Sequence, residues 1–540
     1  MIEGFIKNNE FNYSTNLKVI DNKEIFLAID GFVSKKYYHE LINEYRNKEL
    51  DFISNIKDYI SIYLYDKKKD KLIIINDRIG AKKIYYYNEN GNIYFSNSLK
   101  KLVTNKKYNL NIESLSMYFR FHYIPEPLTI YQDVFKLEHG HYILYSDGKL
   151  SNNCYWNLID LFNNREIIKD YTVVENGLTS LLNKTIDENI NNEKDINIYL
   201  SSGIDSSLLS SLCKKLCSNK INTYTIGFES ERFNEANYSK KIANYLNTNH
   251  HELIIKNSDA IDVVKKIYRY YDEPFGDSSA ASTIILNEFA KNNNVKLAIT
   301  GDGADQLFCG VLIYDLYYKI NRYSKFINPL HIHLNNKLIE NNKLYYIFSN
   351  VPRKYLSQID FVIYEKKLNG LFVDNGKKRF EYNIKTKNIQ EERMILDLDT
   401  FMAQRVLPKM CIAAKVNNID IIPPYLSHKV IEYSFKIPHK YKYHRKNKKY
   451  ILKQMLFQRI PKEMFSNRKK GFGIPVKEWL KTELNDDLKR VSDEDYLKKQ
   501  NIFNYQKVQS LINNIDNYVN LVWDYYMFQL WYEENKKSIK

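Results

Sequence analysis

A chain of 540 residues with 44% hydrophobic content, 46 Tyr and 27 Phe but only 17 Gly and 11 Pro is long and apolar enough for two packed domains, which excludes disordered and collagen-like classes. Its net charge of +16 is scattered, with acidic residues interrupting basic ones as in Asp66-Lys-Lys-Lys-Asp-Lys71, so a solvated surface is expected and nucleic-acid binding is not. The cysteines Cys154, Cys213, Cys217, Cys309 and Cys411 form no CxxC pair, Met1 to Ile6 shows no basic n-region or long apolar h-region, and no apolar run approaches about 18 residues; a soluble, cytoplasmic protein without a membrane partner is expected.

Over the first 150 residues, strands are predicted at Ile25 to Ile29, Ser61 to Tyr65, Leu72 to Ile75, Ile84 to Tyr87, Ile93 to Phe95 and Tyr142 to Tyr145. Asn88-Glu-Asn-Gly91 and Ser146-Asp-Gly148 fit hairpin turns, and few helical periods are long enough to cover a parallel sheet. An antiparallel, two-layer domain follows. The polar stretch Asn163 to Asp170 marks a boundary, giving domains 1–160 and 170–540.

Beyond it the pattern becomes strand then helix: Ile196 to Leu200 and Ser206 to Cys217, Thr223 to Phe228 and Ala236 to Leu246, Leu253 to Ile255 and Ala260 to Tyr271. The helix Ala281 to Ala290 precedes a strand at Val295 to Thr300. This alternation predicts a doubly wound parallel sheet whose ligand sits beyond the carboxyl ends of the strands. From Tyr314 on, a mostly helical extension is expected, ending in an amphipathic segment with Trp523 and Trp531 in the core. There is no internal repeat.

Within that frame, Ile196-Asn-Ile-Tyr-Leu-Ser-Ser-Gly-Ile-Asp-Ser-Ser-Leu-Leu209 reads as strand, small-residue turn and helix start. Backbone N–H groups and the positive end of the helix dipole make such a turn a cradle for pyrophosphate. A carboxylate there, Asp205, makes sense if Mg²⁺ accompanies the phosphates. A second strand end carries Thr300-Gly-Asp-Gly-Ala-Asp305 on the same sheet edge, so Asp205 and Asp305 are expected to share the metal. Elsewhere, Cys213 and Cys217 at i and i+4 read as helix core. His250-His-Glu252 looks like a fragment of a metal site, but neighbouring strand residues face opposite ways and a structural role is expected. Asp277 to Ser279 are expected to cap the next helix.

These motifs resemble the glutamine-dependent asparagine synthetase family along nearly the whole chain. The family's Ser-Gly-Gly-x-Asp-Ser is matched by Ser201-Ser-Gly-Ile-Asp-Ser206, and its Gly-Asp/Glu-Gly-x-Asp-Glu by Gly301-Asp-Gly-Ala-Asp-Gln306. Tyr224-Thr-Ile-Gly-Phe228, Asn249-His-His-Glu-Leu253, Asp272-Glu-Pro-Phe275, Lys449-Tyr-Ile-Leu-Lys453 and Lys470-Gly-Phe-Gly-Ile-Pro475 follow in order. Asn76-Asp-Arg-Ile-Gly80 is similar to an N-terminal family motif. The resemblance implies a glutaminase-like (Ntn-type) antiparallel sandwich followed by an ATP-pyrophosphatase domain. It also implies ATP-dependent activation of a carboxylate as an acyl-adenylate, which an amine then converts to an amide. By the same resemblance, Leu200, Ile226, Thr300 and Gly301 line the adenosine side, and Ser201, Gly203 and Ser206 cradle pyrophosphate. Asp205 and Asp305 hold Mg²⁺, while Asp302 and Lys449 are the catalytic pair.

The departures are equally specific. Relatives begin Met-Cys-Gly-Ile, whereas this chain begins Met1-Ile-Glu-Gly-Phe-Ile6 and has no cysteine before Cys154. Asp30-Gly31-Phe32 and Asn97-Ser98 stand where relatives grip glutamine, so a structural or docking domain is expected and ammonia is the expected amine donor. Ile412 and Ile422 replace two arginines, each able to make charge-assisted bonds worth about 1.5–3 kcal/mol. The parent reaction, aspartate to asparagine, therefore shares the field with that of β-lactam synthetases and lasso-peptide cyclases, in which the amine lies within the substrate. An inactive nucleotide-binding scaffold is the reading from another class. The partners implied are a small-molecule or peptide carboxylate and an amine donor, with a homodimer compatible.

Overall fold

In the computed structural model, the residues described are all but 8–9, 191–194, 217–219, 230–234, 328–356, 359–367, 369, 373–381 and 466–472. The N-terminal strands are β1 (Ile2–Lys7), β2 (Glu10–Thr15), β3 (Val19–Asp21), β4 (Ile25–Asp30), β5 (Ser61–Asp66), β6 (Lys71–Ile75), β7 (Tyr85–Glu89), β8 (Asn92–Ser96), β9 (Phe135–Lys136), β10 (His141–Ser146) and β11 (Lys149–Cys154). They form two sheets, ordered β2-β1-β8-β7-β9 and β11-β10-β6-β5-β4-β3. Both are antiparallel.

Alternation with a period of two sorts the central strands. Phe26, Ala28, Tyr63, Tyr65, Leu72 and Ile74 enter the core between the sheets, together with Ile2, Ile6, Ile93 and Phe95. Ile25, Leu27, Ile29, Ile62, Leu64, Ile73 and Ile75 face the other way and meet the helix Lys35–Lys48 through Tyr37, Tyr38, Leu41, Ile42 and Tyr45. The expected two layers therefore gain a helical cover, whose apolar positions recur at helical spacing. Ser34 caps this helix by accepting from the Tyr37 N–H. Both expected hairpins form. Asn90 (φ 53°) with Gly91 (φ 80°), and Asp147 (φ 53°) with Gly148 (φ 70°), occupy two-residue turns between paired strands.

The second half holds a parallel sheet of β12 (Asp195–Tyr199), β13 (Lys220–Phe228), β14 (Asn249–Ile255), β15 (Leu297–Ile299) and β16 (Asp420–Ile422), ordered β14-β13-β12-β15-β16. Ile196, Ile198 and Ile299 pack against Leu178 and Leu182 of the helix Tyr171–Ile190 and Leu208 and Leu212 of the helix Ile204–Leu216. Tyr199, Tyr224, Ile226 and Phe228 face Ile284 of the helix Ala280–Asn292 and Ala413 of the helix Leu407–Val416. Helices thus cover both faces.

β16 lies in the region expected to be mostly helical. It is only three residues long and is followed by Pro423 and Pro424, which hides it from period-based recognition. Its Ile422 is buried in the core, and its carbonyl accepts the Thr300 N–H at 3.0 Å, which ties this strand to the end of β15. Trp523 and Trp531 are buried as expected, in the helix Ile515–Asn535. Cys213 is buried in the core, while Cys217 lies outside the described residues.

Polar contacts join the two halves. The Tyr59 hydroxyl donates to the Pro423 carbonyl at 3.0 Å, Trp156 Nε1 to Glu432 at 3.0 Å, and Lys415 pairs with Asp30 at 2.5 Å. His139 lies between Glu126, 2.9 Å from Nδ1, and Asp399, 3.2 Å from Nε2. Burial pushes its imidazole down, but bonds to Asp399 and Glu126 outweigh burial and raise it from 6.5 to about 10. A raised folded-state pKa stabilises fully below the unfolded value and is lost as pH rises through about 10. The melting-temperature gap between wild type and His139→Gln is accordingly expected to be widest near pH 6 and to close toward pH 10; a gap independent of pH would contradict the charged-imidazole assignment.

Candidate active site

Two loops at the carboxyl edge of the parallel sheet meet here. The first leaves β12 and enters the helix Ile204–Leu216; the second leaves β15 and enters the short helix Ala304–Leu307. β12 and β15 are parallel neighbours, so both loops open on one edge. They nearly touch: a Cβ on Gly301 would stand 3.0 Å from Ser206 N and 3.1 Å from the Asp205 Cβ, and glycine permits this approach.

The serines shape the first loop. Ser201 N donates to Ser206 Oγ at 3.0 Å, Gly203 N donates to Ser201 Oγ at 3.2 Å, and the two hydroxyl oxygens lie 3.0 Å apart. Ser202 Oγ donates to Glu235 at 2.8 Å, a partner not expected from the sequence. Asp205 sits in the first turn of the helix. The Lys449 ammonium touches both acidic residues of the edge, Asp205 at 2.5 Å and Asp305 at 2.6 Å. Lys449 is itself held by its N–H, which donates to the Phe308 carbonyl at 3.0 Å, and by a left-handed conformation (φ 54°) at the start of the helix Tyr450–Phe457. Gly310 backs this contact, where a Cβ would fall 1.9 Å from Asp305 Oδ1 and 2.0 Å from Lys449 Cε.

Asp302 accepts from the Thr300 hydroxyl at 2.8 Å and turns toward the junction of the two halves. There the Cys411 thiol is pushed up to about 12 by burial and, against Lys82, by the charges of Asp77, Asp302 and Asp420. Ser201, Gly203, Asp205, Ser206, Thr300, Gly301, Asp302, Asp305 and Lys449 thus gather at one sheet edge. Leu200 and Ile226 adjoin it with side chains packed in the core. Lys469 and Lys470 lie outside the described residues.

One ammonium bridges both carboxylates, so Asp205 and Asp305 stand close enough to share a cation. Among the described residues no group of three or more His, Cys, Asp or Glu is arranged around a metal position. Two carboxylates, with no cluster of three or more such ligands among the described residues, fit Mg²⁺, which keeps waters and takes its remaining oxygens from phosphate. His250 and His251 face apart on β14: His250 Nδ1 lies 3.0 Å from the Thr223 hydroxyl, and His251 stacks on Tyr224 at 4.8 Å.

Several partners were invisible in the sequence. Asp277 accepts from Ser279 N at 3.0 Å, but its second oxygen pairs with Arg405 at 3.0 Å and Lys409 at 3.5 Å, so it does more than cap a helix. Burial pushes the Asp277 carboxyl up, yet Lys409 and Arg405 hold it well below the usual range. In the N-terminal half, Asp30 is buried and also opposed by burial, but Lys415, Lys82 and the Asn97 amide keep it charged. Ile412 is half-buried and lines a cleft between the halves together with Tyr85, Tyr123, Tyr271 and Phe275 and the charged Lys83, Lys136, Asp272 and Glu273. No helix of the described residues is long and apolar enough to cross a membrane.

Comparison with known proteins bears on the same residues. The family model described as asparagine synthase matches residues 177–533, and that described as glutamine amidotransferase domain matches 32–156. Asparagine synthetase [glutamine-hydrolyzing] 1 of Bacillus subtilis is 23% identical over 521 residues, covering 92% of this chain and 80% of its own. A putative asparagine synthetase [glutamine-hydrolyzing] 2 of Methanocaldococcus jannaschii is 29% identical over 323 residues, covering 58% of this chain and 60% of its own. With two acidic loops meeting at one edge of a parallel sheet and a family match spanning about two thirds of its length, the chain belongs to the asparagine synthase family and is a carbon–nitrogen ligase that forms AMP and pyrophosphate.

Proposed function

We propose that this enzyme joins a carboxylate to an amine in two steps at the edge formed by residues 200–206, 300–305 and 449. In the first, a carboxylate oxygen attacks the α-phosphorus of ATP, forming the acyl–phosphate bond while the bond to the bridging oxygen breaks and pyrophosphate leaves. In the second, an amine attacks the acyl carbon and AMP departs. The single observation that carries this reading is Lys449 held between Asp205 and Asp305 beside the serine loop. Mg²⁺ held by Asp205 and Asp305 would neutralise charge on the phosphate oxygens. The Lys449 ammonium serves the charge that grows on the leaving oxygen, and the loop N–H groups and helix dipole serve the pyrophosphate. Asp302, held by the Thr300 hydroxyl on the same edge, is assigned to adenylate formation.

Ammonia, not glutamine, is the amine donor in this proposal. Asp30 is engaged by Lys415, Lys82 and Asn97, so the corner that would hold a glutamine is taken up by protein ion pairs. We assign residues 1–160 to a docking domain and 170–540 to the synthetase.

Free aspartate with ammonia is the parent reaction. A second one, in which the acid is larger and less charged, as in natural-product amide ligases, rests on Ile412 and Ile422 standing where relatives carry arginine. Exchange of labelled pyrophosphate into ATP, measured with aspartate, with peptide acids and with no acid, separates the two; exchange that needs no acid at all would overturn both. Glutamate release from glutamine is expected to be absent, and ATP-independent glutaminase turnover would refute the docking role.

A further inference from the structure

The helix carrying Lys449 holds a second lysine that the reaction so far leaves unused. Lys453 lies one turn beyond Lys449, its N–H donating to the Lys449 carbonyl at 2.9 Å, and the helix Tyr450–Phe457 packs against Ile204–Leu216, the helix that leaves the serine loop. Ile451, Leu452, Met455 and Leu456 are buried, while Lys453 is half-buried.

Its neighbours are unusual in sign. Lys448, Lys449 and Lys462 all lie within electrostatic reach, with Asp205 the acidic neighbour. Lys448 is engaged by Asp315 at 3.0 Å, and Lys449 by Asp205 and Asp305. Lys453 instead donates to a neutral group, Asn447 Oδ1, at 2.7 Å. Asn447 belongs to a small hairpin, β17 (Tyr443–His444) and β18 (Asn447–Lys448). The turn of that hairpin puts Arg445 (φ 46°) and Lys446 (φ 67°) in the left-handed region, where Asn-Gly would be the relaxed choice. Two exposed cations are thus kept at a backbone cost beside a lysine that makes no ion pair among the described residues.

We infer that Lys453 binds the terminal phosphate of ATP and then the pyrophosphate it leaves, with the Arg445–Lys446 turn supplying further positive charge at the exit. This rests on the adenylation reading above and extends it from the reacting phosphate to the distal one. Calorimetric titration of the full chain with inorganic pyrophosphate, ATP and AMP, each with Mg²⁺, tests it without knowledge of the acid. Lys453→Met is expected to weaken pyrophosphate and ATP about tenfold or more, the range for one charge-assisted bond, and to leave AMP within about twofold. Lys453→Arg is expected to restore most of the loss. Pyrophosphate affinity unchanged in Lys453→Met, or in Lys453→Gln should the first variant not fold, overturns the inference while adenylation stands. A wild-type protein that binds AMP but neither ATP nor pyrophosphate overturns the adenylation reading itself.

Discussion

Asp205→Ala is expected to lower pyrophosphate formation from ATP at least about 10³-fold, because it removes a Mg²⁺ ligand and a carboxylate at the point where phosphate charge develops. The fold should survive. Asp205 opens the helix Ile204–Leu216, where a carboxylate adds about 0.3–1 kcal/mol through the dipole, and Lys449 keeps Asp305 as a partner. Circular dichroism and thermal unfolding near wild type, with pyrophosphate release gone, is the expected pair of results. Unchanged turnover in the variant would refute the metal role.

Lys449→Met carries the second large effect. It takes the ammonium from between two largely buried carboxylates, and breaking such a pair costs about 3–5 kcal/mol. Pyrophosphate formation should fall about 10²–10³-fold, the scale for one preorganised donor. A second readout separates this from simple destabilisation. With the lysine gone, Asp205 and Asp305 lose their resident cation, so added Mg²⁺ should raise the melting temperature of the variant more than that of wild type. Activity within tenfold of wild type, or equal Mg²⁺ responses, would contradict the arrangement.

The sequence made the two loops legible because each is short, small-residued and acidic directly after an apolar run. Ser201 to Ser206 and Gly301 to Asp305 needed only a parallel sheet to bring them together, and β12 and β15 are adjacent. The helix Lys35–Lys48 escaped notice because its tyrosines also suit strands, and β16 because three residues before a Pro-Pro pair show no period. Ion pairs such as Asp30 with Lys415 and Asp277 with Arg405 join residues far apart in the chain, and charge alone does not say which lysine or arginine meets which carboxylate. The same limit applied to Lys449: within its basic run only the family motif singled it out, and its contacts with Asp205 and Asp305 supply the physical reason.

The order in which the chain is made adds a constraint on this site. Thr300 is tied to Ile422, and Asp205 and Asp305 are neutralised by Lys449, so both elements that complete the edge come more than a hundred residues after its second loop. As the chain leaves the ribosome, β12 to β15 can pair early, but the two acidic loops then face each other without their cation and with a sheet edge still open. Nascent chains halted before residue 420 should therefore be aggregation-prone, and ATP binding should mature only after Lys449 has emerged.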